Sequence, residues 1–396
     1  MANSVAVDRR VVVVGAGAVG LAVGLQLRRA GAQRVLVVDR LETPGMGSTS
    51  RANGGVRAQW GTAINVEFSQ FTIGGLRELH ERTGGVVGLK QVGYLFLTGT
   101  ESGEAALREN LRLQNSLDVP SRWLSPEAAL AMAPYVERAR LRGATFCQTD
   151  GLIDPHGVVT ALWGEGRRLG VEYRFGVEVI GLEPRGEGMV VRVDGPIDGR
   201  VDGAEVEADI VVNAAGPYAA QVAALAGVEL PVRPYRRNLA CTDPVSGYPD
   251  PIPMCVDLDT GVLIRREGGG FLLAYSDPAE PSSFDTAFDP RFLEAVADRI
   301  GNRFPFLAGV PIDEGKCWAG LYPETVDHHS IIDAAPGLPD FIQCVGFGGH
   351  GIMHSLAAGQ AVAELVCSGA CATFDIRPLR LTRFEEGDLT VERAVL

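Results

Sequence analysis

Val11–Val14 is an unbroken β-branched run, the pattern of a strand covered on both faces rather than one alternating between core and water. A glycine-rich turn, Gly15–Gly20, follows, and then Leu21–Arg29, whose Leu21, Leu25 and Leu27 suit a helix stopped at Gly31. Val35–Val38 is a second buried-strand run, ending at Asp39. Strand, glycine turn, helix and strand make a βαβ unit. Glu42–Gly55 is rich in Gly, Ser, Thr and Asn and reads as loop.

Further along, periodicity predicts helices over Ile64–Arg82, Glu101–Leu117, Ser125–Ala133, Gly157–Leu169 and Asp289–Arg303, the third opened by the cap Ser125-Pro126-Glu127. Strands are predicted over Tyr94–Thr98, Glu172–Ile180, Met189–Val193 and Ile210–Asn213. From Val232 to about Lys316, Pro-rich turns separate short strand-like runs such as Val262–Arg265 and Gly270–Ala274. The pattern closes with a strand at Phe341–Val345, a glycine turn at Gly346–Gly351 and a small-residue helix at Ser355–Cys367. The implied architecture is α/β. A Rossmann-like nucleotide domain (1–85, 146–228 and 318–396) interleaves with an α+β substrate domain (86–145 and 229–317) that carries a mixed antiparallel sheet.

Composition narrows this picture. The 396 residues exceed the usual single-domain length, and 46% hydrophobic residues supply a sizeable core. A formal charge of −13, with no run of Lys and Arg, excludes a phosphate-tracking nucleic-acid surface. Arg9-Arg10 before Val11–Leu27 has the look of a targeting segment, but glycines punctuate the stretch and a second strand follows directly, so a strand and a helix are expected instead. Seven scattered cysteines without CxxC read as reduced thiols in a cytoplasmic protein, and six histidines that do not cluster with them predict no metal site.

Gly15-Ala-Gly17-Ala-Val-Gly20 is GxGxxG, placed between a buried strand and a helix, with Asp39 at the end of the next strand. Gly15 permits the tight turn, Gly17 lets a pyrophosphate approach backbone N–H groups, and Gly20 lets helix and strand pack closely. The helix start adds partial positive charge, and Asp39 can accept from ribose hydroxyls. Three more segments offer close backbone approach to a ligand: the polar loop Ser48–Gly55, the strand end Val211–Pro217, and the turn Val345–Met353.

Taken together, Gly15–Gly20 with Asp39, Ser50-Arg51…Gly54-Gly55, Asp150-Gly-Leu-Ile-Asp154-Pro155, Val211–Pro217, Trp318-Ala-Gly320 through Asp327 and Ile331-Ile332, and Gly346–Gly351 resemble the D-amino-acid oxidase superfamily of flavoproteins. The likeness covers nearly the whole chain. It is strongest to the branch of sarcosine oxidase, glycine oxidase, dimethylglycine dehydrogenase and the β subunits of heteromeric proline and sarcosine dehydrogenases.

The resemblance implies FAD. Its expected contacts are Gly15, Gly17, Ala18, Val19, Gly20, Asp39 and Arg40, then Ser48, Thr49, Ser50, Arg51, Gly54 and Gly55. Val177, Ala214, Ala215, Gly216 and Gly320 join them, with Gly346, Gly348, Gly349, His350, Gly351, Ile352 and Met353 beside the isoalloxazine ring. Relatives with covalent flavin use a cysteine or histidine next to the ring. Here Gly320 stands where monomeric sarcosine oxidase has its linking cysteine, Cys317 lies three residues earlier, and the early loop has no histidine, so non-covalent FAD is expected. Leu272 takes the place of that enzyme's oxygen-activating lysine, and Met353 that of a lysine that helps hold the substrate carboxylate in some relatives.

The expected reaction oxidises the C–N bond of a small amine or amino acid of the sarcosine, glycine, proline or N-methyl amino acid class, by hydride transfer to flavin N5. The resulting imine hydrolyses. Since the cofactor does the difficult step, no strong general base is required, and His350 is the one catalytic candidate, as a tuning group. Arg57 matches the region where relatives carry a carboxylate-binding arginine, whose planar fork suits both oxygens. Arg265, Trp60, Tyr275 and Tyr322 are further substrate candidates. Oxygen or another electron acceptor completes the turnover, no membrane span is expected, and a homo-oligomer or partner subunit stays open. Two other readings remain: the catalytic subunit of a heteromeric dehydrogenase with an acceptor other than oxygen, and a non-catalytic flavin-binding assembly factor.

Overall fold

The Val11–Val14 run sits inside a six-stranded sheet, covered on both faces, in a computed structural model that describes residues 7–196, 203–248 and 250–394. The strand order is Ile331–Ala335, Leu338–Val345, Ile210–Asn213, Val7–Val14, Ala32–Asp39 and Glu172–Phe175. All neighbours are parallel except the antiparallel edge pair Ile331–Ala335 and Leu338–Val345. Val11 and Val13 face the helices Ala18–Arg29, Ala63–Arg82, Pro155–Arg168 and Gly351–Ser368. Val12 and Val14 face a three-stranded sheet (Glu178–Pro184, Met189–Asp194, Ala204–Ala208) and the short helix Ala219–Ala224. Both faces therefore lose water, which is why the strand carries no polar alternation.

Two of these helices cross closely, because a Cβ at Gly359 would meet the backbone O of Ala22 at 2.7 Å. Their N-termini lie side by side, and a Cβ at Gly351 would touch Val19 Cγ2 at 3.8 Å.

The second sheet has eight strands, in the order Trp318–Glu324, Arg233–Cys241, Gly270–Tyr275, Val262–Glu267, Met254–Asp257, Tyr94–Thr98, Gly143–Cys147 and Arg122–Leu124. It is antiparallel apart from the parallel pair Met254–Asp257 and Tyr94–Thr98. One face is covered by the helices Arg291–Arg303 and Pro126–Met132. A nucleotide-type α/β unit interleaved with a unit built on a mixed, mainly antiparallel sheet is the expected fold class.

Two elements depart from expectation. Glu172–Ile180 is not one strand: Gly176, at φ +66°, turns the chain, sending Glu172–Phe175 to the edge of the six-stranded sheet and Glu178–Pro184 into the three-stranded one. Trp318–Glu324, placed by sequence at the start of the last nucleotide-domain segment, is hydrogen-bonded along its whole length to Arg233–Cys241 of the eight-stranded sheet. Among the described residues, no helix is long and apolar enough to cross a membrane.

Candidate functional site

Gly15, at φ +109°, makes the turn that the first strand needs before the helix Ala18–Arg29. A side chain there would run into the carbonyl of Ala214, and one on Gly20 would run into the carbonyl of Gly15. The helix cap Gly17 offers no side-chain bond, and the first turn has no acidic residue, so its partial positive charge, and its amides beyond Ala18, stay available to an anion. Thr49 Oγ1 accepts from Ala18 N at 3.1 Å. Asp39 accepts from Ala16 N at 2.6 Å and from Leu41 N at 2.9 Å, which ties the end of the second strand to the glycine turn. Burial raises the Asp39 pKa against those two backbone bonds.

These groups open on a cavity of about 630 Å³, within the usual range for a small-molecule site. The strand end Ala214–Tyr218 lines it, as do the loop Met46–Thr49 with Arg51–Gly55, the strand residues Gly320–Pro323, and Gly348, Gly349 and Gly351–Met353. The last group begins the 18-residue helix Gly351–Ser368, whose cap His350 makes no side-chain cap bond. Two helix starts thus face one volume, and each brings amides without intrahelical acceptors. Arg40 stacks over the Tyr218 ring at 3.8 Å on the cavity wall.

A second cavity, of about 740 Å³, shares Asn53, Arg237, Ser276, Tyr322, Gly348, Gly349 and Met353 with the first. Arg57, Trp60, Tyr94, Tyr235, Glu324 and His350 also line it. The Arg57 guanidinium is 3% exposed and makes no ion pair among the described residues; two of its N–H groups donate to the carbonyls of Gln59 and Ala394. It lies over Trp60, 3.5 Å from the ring centroid, and Trp60 is held by Nε1 donating to Ser69 Oγ at 2.7 Å and to Arg57 O at 3.1 Å. Burial lowers the Arg57 pKa, opposed by Tyr94, Glu392 and Asp150, and the group stays charged. His350 packs edge-on to Trp60, with centroids 5.1 Å apart, and its Nε2 is buried without a partner. Burial, then His354 and Arg57, holds its pKa well below the ordinary histidine value, so the imidazole is neutral.

A model of the FAD dependent oxidoreductase family, DAO, matches residues 10–365. The chain belongs to this family. It is 29% identical over 426 residues to FAD-dependent oxidoreductase domain-containing protein 1 of Bos taurus, covering 98% of this chain and 87% of that protein. The L-proline dehydrogenase structure from P. horikoshii superposes with a TM-score of 0.87 at 26% identity, over 98% of this chain and 100% of that one. Glycine oxidase from Geobacillus kaustophilus gives 0.80 at 25% identity, over 95% and 99%. The protein is an FAD-dependent oxidoreductase of this family, and the first cavity suits the cofactor: glycine backbone lines it beside two open helix starts, and a Cβ at Gly216 would enter open space.

In this oxidoreductase most residues expected at the cofactor do line the first cavity: Gly15, Gly17, Ala18, Val19, Asp39, Arg40, Ser48, Thr49, Arg51, Gly54 and Gly55. Val177, Ala214, Ala215, Gly216, Gly320, Gly348, Gly349, Gly351, Ile352 and Met353 do so too. Four do not. Gly20 is buried against Gly15, Ser50 Oγ turns back to Gly47 O at 3.1 Å, and Gly346 and His350 line the second cavity.

Among the substrate candidates, Arg57, Trp60 and Tyr322 line the second cavity. Tyr275 lines the first, with its hydroxyl taking a 2.9 Å bond from Arg299. Arg265 lines neither: it shares a strand face with Leu263, which does line the second cavity, but sits one pleat further on, where it pairs with Glu267 at 2.5 Å. Leu272 is also displaced from its expected place. It is fully buried with Leu239 and Cys241 and touches neither cavity. The residues not foreseen are Tyr94, Tyr235, Arg237 and Glu324; alternation on Arg233–Cys241 would have put Tyr235 and Arg237 on one face.

Proposed function

We propose that the protein oxidises the C–N bond of a small amine or amino acid, with FAD held non-covalently in the first cavity and the substrate in the second. The carrying observation is Arg57, a buried guanidinium without a carboxylate partner among the described residues, facing a cavity that meets the first across Tyr322, Gly348, Gly349 and Met353. A substrate carboxylate would take its free donors in a low-dielectric site, where a charge-assisted bond is strongest. The names of similar proteins support this class, since proline, glycine and sarcosine are the substrates they carry.

FAD, when bound, accepts a hydride equivalent from the carbon beside the substrate nitrogen. The chain's own part is to bind and orient. Gly15–Ala18 and Asp39 would hold phosphate and ribose, and the Gly348–Met353 turn would favour negative charge at the far end. Arg57 fixes the carboxylate, Trp60 props Arg57, and neutral His350 leaves a free Nε2 to hold a proton or a polar substrate atom. No cysteine or histidine lines the first cavity among the described residues, which supports non-covalent FAD. The segments 1–85, 146–228 and 318–396 would form the FAD domain, with Trp318–Glu324 as its seam to the substrate domain.

An acceptor other than oxygen is a second reading with its own support: neither of the chain's two lysines, Lys90 and Lys316, lines either cavity. Aerobic incubation with a panel of secondary, N-methyl and primary amino acids separates the readings. Bleaching of the yellow flavin band with peroxide supports an oxidase, and bleaching without peroxide supports a dehydrogenase. A broad panel with no bleaching would overturn the proposal and leave a non-catalytic flavoprotein.

A further inference from the structure

Arg57 sits on a loop, Arg57–Thr62, that leads into the 20-residue helix Ala63–Arg82. That helix start has two deficits: its cap Thr62 makes no side-chain cap bond, and its first turn carries no acidic residue. The missing negative charge comes from Glu392, more than three hundred positions later in the sequence. Its carboxylate is fully buried and accepts from Gly61 N at 3.0 Å, Thr62 Oγ1 at 2.7 Å and Asn65 Nδ2 at 3.1 Å. A carboxylate in that position complements the helix dipole.

The same carboxylate folds its own strand of chain into place. Ala394 N donates to Glu392 Oε1 at 2.8 Å, and the Ala394 carbonyl then receives a hydrogen bond from Arg57 Nη2. Upstream, Glu392 N donates to Asp327 O at 3.0 Å, and Asp327 is itself gripped by buried Arg383 at 2.7 Å. The segment from Arg383 to Ala394 is therefore a strap anchored at two buried carboxylates, with a backbone carbonyl delivered to the guanidinium at its far end. Gly61 leaves it room, because a Cβ there would come within 2.8 Å of Glu392 Oε1.

We propose that Glu392 is a positioning residue for substrate carboxylate binding: it pins this strap so that the Ala394 carbonyl, opposite the Gln59 carbonyl, holds the Arg57 guanidinium in one orientation toward the second cavity. Two neutral acceptors, one on Nη1 and one on Nη2, leave the remaining donors and the full positive charge for the substrate. This inference rests on the reading of Arg57 as the carboxylate anchor. It adds a remote residue that touches neither cavity and acts through Arg57 alone.

The test uses FAD-loaded full-length protein and two probes of equal shape, pyrrole-2-carboxylate and the uncharged pyrrole-2-carboxamide, with dissociation constants read from the visible flavin spectrum. Wild type should prefer the carboxylate by about tenfold or more, the order expected of a charge-assisted pair. Arg57→Gln should abolish that preference. Glu392→Ala should remove most of it while amide affinity and FAD content stay as in wild type, and Glu392→Gln, which keeps the shape and one acceptor, should lie between. Gly61→Ala, which crowds the Glu392 carboxylate while leaving residue 392 unchanged, should act in the same direction as Glu392→Gln.

If Glu392→Ala and Glu392→Gln lower the melting temperature but keep the wild-type preference, the residue is structural only and the inference falls while the Arg57 reading stands. A preference that survives Arg57→Gln, or wild type that binds neither probe, defeats both. Should Glu392→Ala not yield folded protein, Glu392→Gln and Gly61→Ala decide the matter, and an unchanged preference in both overturns the proposal.

Discussion

The two cavities are built on opposite plans. The first is rich in glycine, at 15, 17, 47, 54, 55, 216, 320, 348, 349 and 351, and has two helix starts. The second is walled by long side chains, Arg57, Trp60, Tyr94 and Tyr235 among them, and shares Arg237 and Tyr322 with the first. Backbone amides present the same chemistry whatever the side chain, so a glycine wall suits a ligand that does not vary. Side chains can be exchanged without rebuilding the fold, so the second wall is where one relative can differ from another in what it accepts.

The sharpest way to break this contrast is to put one methyl directly behind the backbone wall. Gly20→Ala would drive a Cβ into the Gly15 carbonyl. With only backbone to give way, it should cost about 3 kcal/mol or more, at the upper end for overpacking. The expected outcome is protein without FAD, or no folded protein, read from the visible absorbance per chain. Near-normal FAD content would mean that the glycine turn does not set the cofactor site.

Arg57→Gln in the side-chain wall should leave FAD content alone and raise KM for a carboxylate substrate by about a hundredfold, equivalent to about 2–3 kcal/mol. The effect on kcat should be smaller, because the lost bond exists in ground and transition states alike. Equal losses in the two parameters would move Arg57 from holding the substrate to acting on the chemistry.

Asp39→Asn should weaken FAD binding by about 1–2 kcal/mol, since a charged acceptor on Ala16 N and Leu41 N becomes a neutral one. A titration of apoprotein with FAD measures it.

A last effect, on stability rather than binding, concerns pH and the histidines behind the second cavity. Burial, then Arg57, pushes His354 down to about 3. The unfolded chain takes up a proton near the ordinary value of 6.5 that the folded chain refuses, so this histidine makes the fold less stable as pH falls from about 6.5 toward about 3. Asp150, raised to about 6 by burial, works in the opposite sense, favouring the fold as pH falls from about 6 toward 3.8. In melting curves between pH 7 and pH 4, His354→Asn should flatten the acid-side loss. An unchanged slope would show that His354 is not what the protein loses stability to in acid.

How much of the molecule is legible in its sequence follows the same division. The glycine spacing, Asp39 and the turn at Gly346–Gly351 are legible because a backbone cradle imposes a local pattern on consecutive residues. Tyr94, Tyr235, Arg237 and Glu324 are not: alternation pairs Tyr235 with Arg237 on one strand face, but which face meets a cavity depends on a sheet order that strand runs alone do not give. Arg265 shows how narrow the margin is: it lies on the correct strand and the correct face, two residues too far along. Leu272 shows the converse, a match of sequence position that lands in packed core. Glu392 lies beyond reach for a different reason. A carboxylate that braces the start of a helix across some 330 positions leaves no local trace.

Trp318–Glu324 belongs by hydrogen bonding to the eight-stranded sheet, yet Gly320–Pro323 border the first cavity while Tyr322 and Glu324 border the second. A rigid ribbon shared by two chambers is a mechanical linkage. A ligand that shifts this strand when it seats in one chamber therefore also moves a wall of the other.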